Sequence, residues 1–264
     1  MAHILVTGAS DGLGRALAVE LARGGHRLLV HGRDPGRLAE VAASTGATAI
    51  RADLSALDEV RRLAAEVTER VSRLDVLVNN AGVGFGPPGA GRELSRDGYE
   101  LRFAVNYLAP YLLTRLLLPL LRRSAPARIV NVASVGQRPV DLDDPMMARG
   151  YSGIEAYRRS KLALIADTFD LAAELAGTGV TATCLHPASL MPTTMVRESA
   201  FGTIDSLEQG LRATLRLVTD PALDGVTGCY FDGEREARAL DQAYDLAFRA
   251  RLRELTDHLL GADS

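Results

Sequence analysis

Short apolar runs and amphipathic segments alternate along the chain. The apolar runs have the length of β-strands, and they predict strands at residues 4–7, 27–31, 48–51, 76–79, 129–133, 180–185 and 228–231. Helical spacing of apolar positions predicts helices at residues 14–23, 37–43, 57–71, 98–123 and 154–176. Nearly continuous apolar strands between helices are typical of a parallel sheet covered on both faces. We therefore predict a single α/β domain over residues 1–264, a Rossmann-type doubly wound parallel sheet with helices on both faces.

Three segments match neither pattern. Residues 82–91 are rich in glycine and proline, residues 188–203 contain Pro192 next to two threonines, and residues 136–150 carry three aspartates. All three follow predicted strands, and open α/β sheets bind ligands at the carboxyl ends of their strands. We therefore predict that these segments line a substrate pocket, rather than serving only as solvated loops.

Composition narrows the class of protein. With a formal net charge of -3, the chain has no excess of positive charge that would favour nucleic acid or an anionic membrane. Cys184 and Cys229 have neither metal-ligand nor disulfide-framework spacing, which indicates no metal site and a reducing compartment. No signal peptide or anchor helix is expected before the first strand, and the apolar stretch 112–121 is too short to span a bilayer. We expect a cytoplasmic protein that binds a small molecule.

A glycine-rich turn joins the first predicted strand to the first helix. Gly8 permits the tight turn, Gly12 lets the backbone approach a pyrophosphate, and Gly14 lets helix and strand pack closely. The free amides of the helix N-terminus suit the same phosphates. A plain connection would not need three glycines, so the turn predicts a dinucleotide site. The remaining residues of that predicted site are Ser10, Asp11 and Leu13.

The end of the second predicted strand distinguishes NAD from NADP. An NAD site places a carboxylate there for the ribose 2′-hydroxyl, whereas this chain has Gly32 followed by Arg33. Glycine leaves room for a 2′-phosphate, and a guanidinium can pair with it. Asp34 precedes Pro35 and is typical of a helix cap, whereas Asp11 slightly disfavours an extra phosphate. We predict NADP(H) as the cofactor.

Further motifs follow the later strands in order. They are Asp53-Leu54, Asn79-Asn80-Ala81-Gly82, Asn106, Ser134, Tyr157 with Lys161, and His186-Pro187. Together with the glycine turn, this set resembles the short-chain dehydrogenase/reductase family nearly end to end. The insert at 141–150 and residues 228–231 resemble its retinol-dehydrogenase-like branch, which often handles bulky hydrophobic alcohols and ketones.

The resemblance implies hydride transfer between a nicotinamide cofactor and a carbonyl or alcohol. It implies that Tyr157 is the proton donor and acceptor, that Ser134 holds the substrate oxygen, and that Lys161 also binds the nicotinamide ribose. Asn106 would help to carry a water-linked proton path, although a polar packing role is nearly as compatible with the sequence. Besides the glycine turn and Arg33, the implied cofactor-binding residues are Asp53, Leu54, Asn80, Ala81, Gly82, Tyr157, Lys161, Pro187 and Thr193. For Asp53, a helix cap is the alternative to adenine contact, and for Ser134 the alternative is a cap at the strand end.

The tyrosine and lysine also make chemical sense without the resemblance. Free tyrosine has a pKa of about 10, which is too high for easy proton exchange near neutral pH. A lysine four residues later lies on the same helical face, and its ammonium favours the phenolate of Tyr157. Lys161 is the only lysine among 30 lysines and arginines, and Tyr151 has Glu155 at this spacing instead. An ordinary surface pair is the alternative, but it does not explain why arginine is avoided here.

The chain departs from the family pattern near the nicotinamide. Ala188 follows Pro187 where many relatives have glycine, and Pro192 stands where a threonine is usual, so the carboxamide contact is transferred to Thr193. Ser134 and Tyr157 are further apart in sequence than in many relatives, by the length of the insert at 141–150.

These observations predict an NADP(H)-dependent ketoreductase or alcohol dehydrogenase for a medium-sized hydrophobic carbonyl compound. The alternative from another class is a catalytically silent NADP(H)-sensing or scaffolding protein, which would need only the phosphate site. A sugar-nucleotide epimerase or dehydratase is disfavoured, because it needs a larger domain than the stretch after Pro187 can build. Family members are usually dimers or tetramers through paired helices. Residues 108–121 and 154–176 are therefore the expected interface of a homodimer or homotetramer, although a monomer is equally compatible with them.

Overall fold

One eight-stranded sheet forms the centre of the molecule. In the computed structural model, which describes residues 1–199 and 201–261, the strands pair in the order β3-β2-β1-β4-β5-β6-β7-β8. Neighbouring strands are parallel except for β7 and β8, which form an antiparallel pair. The strands are β1 His3–Val6, β2 Arg27–Gly32, β3 Thr48–Arg51, β4 Val76–Asn79, β5 Ala127–Val132, β6 Val180–His186, β7 Tyr230–Asp232 and β8 Arg235–Ala237.

Helices connect the strands and cover the sheet. They are α1 Gly12–Arg23, α2 Pro35–Thr45, α3 Leu57–Arg70, α4 Leu101–Phe103, α5 Ala109–Arg123, α6 Gly153–Glu174, α7 Thr194–Arg197, α8 Leu207–Thr219 and α9 Leu246–Leu260. A π-helical turn at Ala104–Leu108 joins α4 to α5 without a break.

Two apolar cores lie on opposite faces of the sheet. Successive strand residues alternate between them: Leu5 belongs to the core formed with α3, α5, α6 and α9, whereas Ile4 and Val6 belong to the core formed with α1, α2 and α8. This alternation follows from the two-residue period of a strand. Because helices cover both faces, the central strands are largely apolar, with few polar residues along them. The predicted doubly wound α/β fold is confirmed.

The strand order reverses at β1: strands β2 and β3 lie on one side of it, and strands β4 to β8 lie on the other. Strand β1 pairs with β2 on one side and with β4 on the other. The connections that leave the two strands therefore diverge, and a crevice opens at the carboxyl ends of the parallel strands. The glycine turn, which follows β1, and residues 82–91, which follow β4, meet at this crevice.

Several elements differ from the predicted ones. Helix α1 begins at Gly12, two residues before the predicted start, because Asp11 is extended and accepts a hydrogen bond from the Gly12 amide. Helices α7, α8 and α9 and strand β8 were not predicted. For α8 the sequence does carry a signal, because Ser206 and Gln209 form a reciprocal capping box at its start.

One helix of the described residues, Leu101–Arg123, has a length and composition compatible with crossing a membrane. The argument that residues 112–121 are too short to span a bilayer therefore does not extend to the 23-residue helix that contains them. However, 83% of its most apolar window is buried inside the fold. Core helices have the same composition, so the helix is weak support for a membrane segment, and the absence of a membrane partner stays a prediction.

Candidate active site

The glycine turn lies between β1 and α1 at the carboxyl edge of the sheet. Gly8 and Gly12 have φ values of +65° and +51°, in the left-handed region that favours glycine. A Cβ on Gly8 would lie 2.7 Å from the Cα of Ala81, and a Cβ on Gly14 would lie 2.2 Å from the Gly8 carbonyl oxygen. The turn therefore needs glycine for its conformation and for close packing, as the sequence predicted for Gly8 and Gly14.

Ser10, Leu13 and Arg33 occupy different environments around the turn. Leu13 is buried in the core, so its side chain is not presented to a ligand. The Ser10 side chain lies against the end of β2, where a Cβ on Gly32 would be 2.9 Å from the Ser10 Oγ. Arg33 follows with an exposed side chain, and Asp34 caps α2 by accepting a hydrogen bond from the Arg37 amide, as predicted.

The carboxylate of Asp11 already accepts two hydrogen bonds within the protein and also lies 3.8 Å from the Arg37 guanidinium. One oxygen accepts a 2.7 Å hydrogen bond from the Gly12 amide, and the other accepts a hydrogen bond from the Thr194 hydroxyl. The hydrogen bond from Thr194 is the main reason why the pKa of Asp11 lies below its usual value. The carboxylate of Asp11 is therefore engaged within the protein at the start of α1, and its predicted role in cofactor binding stays a prediction.

His31, which the sequence analysis did not single out, holds the glycine turn in place. Its Nδ1 accepts a hydrogen bond from the Gly8 amide at 3.2 Å, so Nε2 carries the proton and donates to the Ala52 carbonyl at 3.1 Å. Burial of the neutral ring lowers the pKa of His31 to about 4. The imidazole therefore connects β1, β2 and the residues after β3 without carrying charge.

Asp53 and Leu54 follow β3. Burial acts to raise the pKa of Asp53, but hydrogen bonds from Ser55 outweigh it and hold that pKa below its usual value. Helix α3 starts after Ala56, which makes no side-chain cap, and the Leu57 amide at its first position donates instead to the Asp97 carboxylate at 2.9 Å. The alternative that Asp53 caps a helix is therefore wrong, and its contact with adenine stays a prediction. Leu54 is buried in the core.

The Asn80-Ala81-Gly82 motif joins the end of β4 to the glycine turn. The Asn80 side-chain amide donates to the Thr7 and Gly8 carbonyl groups at 2.8 and 3.2 Å. A Cβ on Gly82 would lie 3.6 Å from the Lys161 Nζ. The motif thus links the predicted phosphate site to the predicted catalytic residues.

Ser134, Tyr157 and Lys161 come together at the carboxyl end of β5. Ser134 lies two residues beyond that strand. Tyr157 and Lys161 lie in the second and third turns of α6, which Ser152 caps. Tyr157 is hydrogen-bonded to Ser134. The Lys161 Nζ donates to the Val132 carbonyl at 2.8 Å and lies 5.7 Å from the centre of the Tyr157 ring.

Burial dominates the ionisation of this group. Tyr157 is 8% exposed and Lys161 is 3% exposed. Burial raises the pKa of Tyr157, against a smaller lowering by the hydrogen bond with Ser134, and burial lowers the pKa of Lys161 to about 8. Without the cofactor, desolvation thus keeps the pKa of Tyr157 above its usual value. The expectation that the Lys161 ammonium and the nicotinamide charge together lower that pKa stays a prediction.

Asn106 lies in the π-helical turn between α4 and α5. Its Oδ1 accepts a hydrogen bond from the Val83 amide at 2.8 Å, and its Nδ2 donates to the Val83 carbonyl and to the Ser160 Oγ, each at 3.0 Å. Both side-chain N–H groups are thus engaged within the protein. The side chain positions the loop after β4 against α6, as in the packing alternative, and the proton path stays a prediction.

The segment after β6 crosses the crevice. A Cβ on Gly12 would lie 3.0 Å from the Thr193 Cγ2, which places Thr193 against the glycine turn. A Cβ on Gly84 would lie 2.4 Å from the Met195 Cγ, which places α7 against the loop after β4 on the other side. Pro187 lies at the start of this crossing segment, and Leu190 within it has a φ of +44°. Residue 200 of the predicted pocket segment 188–203 lies outside the described residues.

The family profile described as short chain dehydrogenase matches residues 2–201. The chain belongs to the short-chain dehydrogenase family. Human retinol dehydrogenase 14 is 34% identical over an alignment that covers 98% of this chain and 86% of that protein. The prediction of this family and of its retinol-dehydrogenase-like branch is confirmed.

Solved structures have the same fold. An uncharacterized protein from Mycobacterium paratuberculosis matches with a TM-score of 0.81 and 29% identity, covering 99% of this chain and 94% of that one. The RhlG/NADP complex of Pseudomonas aeruginosa matches with a TM-score of 0.71 and 31% identity, covering 88% and 94% of the two chains. A 3-ketoacyl-(acyl-carrier-protein) reductase from Brucella melitensis, complexed with NADH, matches with a TM-score of 0.72 and 26% identity, covering 88% and 96%.

As a short-chain dehydrogenase, this protein is an oxidoreductase that uses a nicotinamide cofactor. Its residues fit such a group. The turn at Gly8, Gly12 and Gly14 leads into the N-terminus of the 12-residue helix α1, which suits a pyrophosphate. The same edge of the sheet carries Gly82, which leaves space beside the buried ammonium of Lys161.

Two residues near the catalytic group of this short-chain dehydrogenase were missed by the sequence analysis. The Phe85 ring packs against the Tyr157 ring, with centroids 4.6 Å apart. Arg102 is 2% exposed, and its Nε donates to the Gly84 carbonyl at 2.9 Å. Neither lies in a family motif used above. The only available signal for Phe85 was its place within the glycine-rich segment 82–91.

Proposed function

We propose that this protein is an NADP(H)-dependent oxidoreductase that interconverts a carbonyl compound and a secondary alcohol. The observation that carries the proposal is the buried group of Ser134, Tyr157 and Lys161, which lies at the same edge of the sheet as the glycine turn. The substrate is a medium-sized hydrophobic small molecule, and we propose reduction as the direction in the cell.

In the proposed reduction, the substrate carbonyl oxygen accepts hydrogen bonds from the hydroxyl groups of Ser134 and Tyr157. When bound, the nicotinamide supplies the hydride to the carbonyl carbon. Tyr157 transfers its phenolic proton to the substrate oxygen, and Ser134 holds that oxygen while its charge changes. The Lys161 ammonium then stabilises the phenolate, and its hydrogen bond to the Val132 carbonyl fixes its position.

The end of β2 supports NADP(H) over NAD(H). Gly32 faces the Ser10 side chain so closely that a larger residue, and hence a carboxylate for the ribose 2′-hydroxyl, would have to displace it. The guanidinium of Arg33 is exposed beside this point. Positive charge without a competing carboxylate at the strand end favours a 2′-phosphate.

A cytoplasmic location is part of the proposal. Cys184 and Cys229 are both free thiols, and Cys184 is buried. Free cysteines are usual in a reducing compartment. Fractionation of the native host cells would test this location.

The first experiment measures consumption of NADPH, with NADH in parallel, by the purified protein against a panel of ketones, aldehydes and quinones. Tyr157→Phe should abolish turnover and leave the Kd for NADPH nearly unchanged, because the ring stays and only the proton donor is lost. Tyr244→Phe, outside the candidate site, is the matched control and should keep activity. Full activity of Tyr157→Phe would overturn the proposal. A folded protein that binds NADPH but reduces nothing would favour the sensing or scaffolding alternative.

Cofactor choice has its own test. Arg33→Ala should raise the KM for NADPH by about 10-fold or more and leave the KM for NADH nearly unchanged, because hydrogen bonds to charged groups contribute about 1.5–3 kcal/mol. Arg27→Ala, at the opposite end of the same strand, should change neither KM. Equal changes for both cofactors in Arg33→Ala would contradict the assignment of Arg33 to the 2′-phosphate.

A further inference from the structure

An aromatic wall stands beside the catalytic tyrosine. It consists of Phe85, in the loop after β4, and Phe201, in the segment after β6. The Phe85 ring meets the Tyr157 ring edge-to-face, with centroids 4.6 Å apart and an interplanar angle of 67°. Its centroid also lies 5.4 Å from that of Phe201, at 78°. Phe201 is 42% exposed, so the wall extends from the buried phenol to the protein surface.

The backbone around Phe85 is held from two sides. The Arg102 Nε donates to the Gly84 carbonyl at 2.9 Å. A Cβ on Gly153 would lie 2.1 Å from the Phe85 carbonyl oxygen, so this oxygen rests directly on the first residue of α6. Helix α6 thus supports the Phe85 backbone and also carries Tyr157. One helix therefore positions the rings of both Phe85 and Tyr157.

The buried Arg102 is itself fixed by several hydrogen bonds. Its guanidinium donates to the Tyr151 hydroxyl at 2.7 Å and to the carboxylates of Glu100 and Glu93 at 3.4 and 3.3 Å. The Tyr151 hydroxyl donates in turn to Glu100 at 3.0 Å. A buried charge that is paired in this way is costly to move, because any displacement leaves a partner unsatisfied. Phe85 is therefore a fixed surface of the site.

The place of Phe85 restricts what can reach the phenol. Phe85 packs against the same ring whose hydroxyl the substrate oxygen contacts in the proposed reaction, so the group next to the substrate carbonyl approaches the wall. Aromatic rings attract one another in edge-to-face and offset arrangements, beyond the general effect of burying apolar area. A saturated group of the same size gains only the burial.

We propose that Phe85, with Phe201, is the specificity-determining surface of this site, and that it selects carbonyl compounds with an aromatic ring directly attached to the carbonyl carbon. This inference rests on the proposed function, because it concerns the substrate of the same reaction. It assigns Phe85 to substrate selection, whereas proton transfer stays with Tyr157.

The test compares two ketones of the same size, acetophenone and cyclohexyl methyl ketone, in steady-state assays with NADPH. The wild type should favour acetophenone in kcat/KM. Phe85→Leu should lower the ratio of the two kcat/KM values about 3- to 10-fold, the range that corresponds to an aromatic pair. Because reduction of both ketones depends on Tyr157, any effect of the substitution on Tyr157 itself cancels in the ratio. Phe201→Leu should lower the ratio less, since this ring is further from the phenol.

Two further variants separate the role of the ring from general damage. Phe85→Tyr keeps the ring and should keep the ratio, whereas Phe248→Leu makes the same substitution in α9 and should leave the ratio unchanged. An unchanged ratio in Phe85→Leu, or a wild type that turns over both ketones equally well, would overturn the proposed role of the aromatic wall in substrate selection. Neither result would contradict the proposed function. Turnover of neither ketone by the wild type, with turnover of aliphatic aldehydes, would also overturn the wall alone. No turnover of any carbonyl compound would overturn both.

Discussion

Lys161 is both buried and positively charged, and these two properties oppose each other. Its ammonium is buried beside the Tyr157 ring and bonds to the Val132 carbonyl. Burial of a charged amine costs free energy, which is why its pKa is lowered to about 8. Lysine tolerates this because it can lose its proton, whereas arginine stays charged at every accessible pH. The single lysine of an arginine-rich chain thus stands where a compact amine with an adjustable pKa is required.

Replacing this lysine should stabilise the free protein. The folded pKa of Lys161, about 8, lies below the ordinary value of 10.5, so the folded state binds fewer protons than the unfolded state between these pH values. Stability of the wild type should therefore rise with pH across this window. Lys161→Met should gain about 1–3 kcal/mol in unfolding free energy at pH 7 and lose that advantage by pH 10.5, with activity abolished.

Thermal unfolding of the cofactor-free protein at pH 7 and pH 10.5 would measure this effect. A gain of 1 kcal/mol corresponds to a rise in Tm of about 2–4 °C for a chain of this size. Arg158→Met, a half-buried neighbour on the same helix, should show no such pH dependence. A Lys161→Met variant that is less stable than the wild type at pH 7 would show that the bond to Val132 outweighs desolvation.

At the scale of elements, the phosphate site depends on how closely α1 approaches the ends of β1 and β4. Gly14 is the contact point, since a Cβ there would lie 2.2 Å from the Gly8 carbonyl oxygen and 2.4 Å from the Asn80 Nδ2. Asn80 in turn bonds to the Thr7 and Gly8 carbonyl groups. The helix, the turn and the residues after β4 therefore move as one unit, and any residue that separates them opens the turn.

Gly14→Ala should destabilise the protein and weaken NADPH binding together. Overpacking a close contact costs about 1–3 kcal/mol, and the shift of α1 should raise the Kd for NADPH at least several-fold. Gly36→Ala is the matched control in α2, because its Cβ would meet nothing closer than an Asp34 oxygen at 3.4 Å, and helical alanine is favoured over glycine. Thermal unfolding and NADPH fluorescence titration would check both. An unaffected Kd in Gly14→Ala would contradict the coupling.

At the scale of the whole molecule, α9 packs against part of the surface through which an oligomer was expected. The Thr256 and Tyr107 hydroxyl groups are 2.6 Å apart, and the Tyr111 hydroxyl donates to Asp257 at 2.6 Å. Leu252 is buried against the core that α5 and α6 share. Helix α9 therefore contacts part of the expected interface at residues 108–121 and 154–176, and on this ground we predict a monomer.

Sedimentation equilibrium of the full chain should accordingly give a mass near 28.2 kDa. Leu252→Asp should release α9, because Leu252 is 2% exposed, and should cause concentration-dependent association through the uncovered faces of α5 and α6. Leu246→Asp is the matched control in the same helix, since Leu246 is 70% exposed, and it should stay monomeric. A stable dimer of the unmodified chain would contradict this prediction.

The sequence by itself determined the fold class, the glycine turn and the placement of Tyr157 and Lys161 on one helical face, because each depends on local pattern. Alternating apolar strands and helices lead to one kind of sheet. Gly8 and Gly14 are required within a single connection, and Tyr157 and Lys161 lie one helical turn apart. Such features are visible in short windows of sequence, so no knowledge of distant contacts was needed to predict them.

Only the tertiary structure decided the environment of these residues. His31 supports Gly8, Arg102 anchors the loop that carries Phe85, and α9 bonds to α5, all through contacts between residues that are far apart in sequence. The pKa of Tyr157 is decided in the same way, because desolvation depends on everything packed around the phenol. Burial and long-range contact are properties of the assembled fold, and no local pattern of residues encodes them.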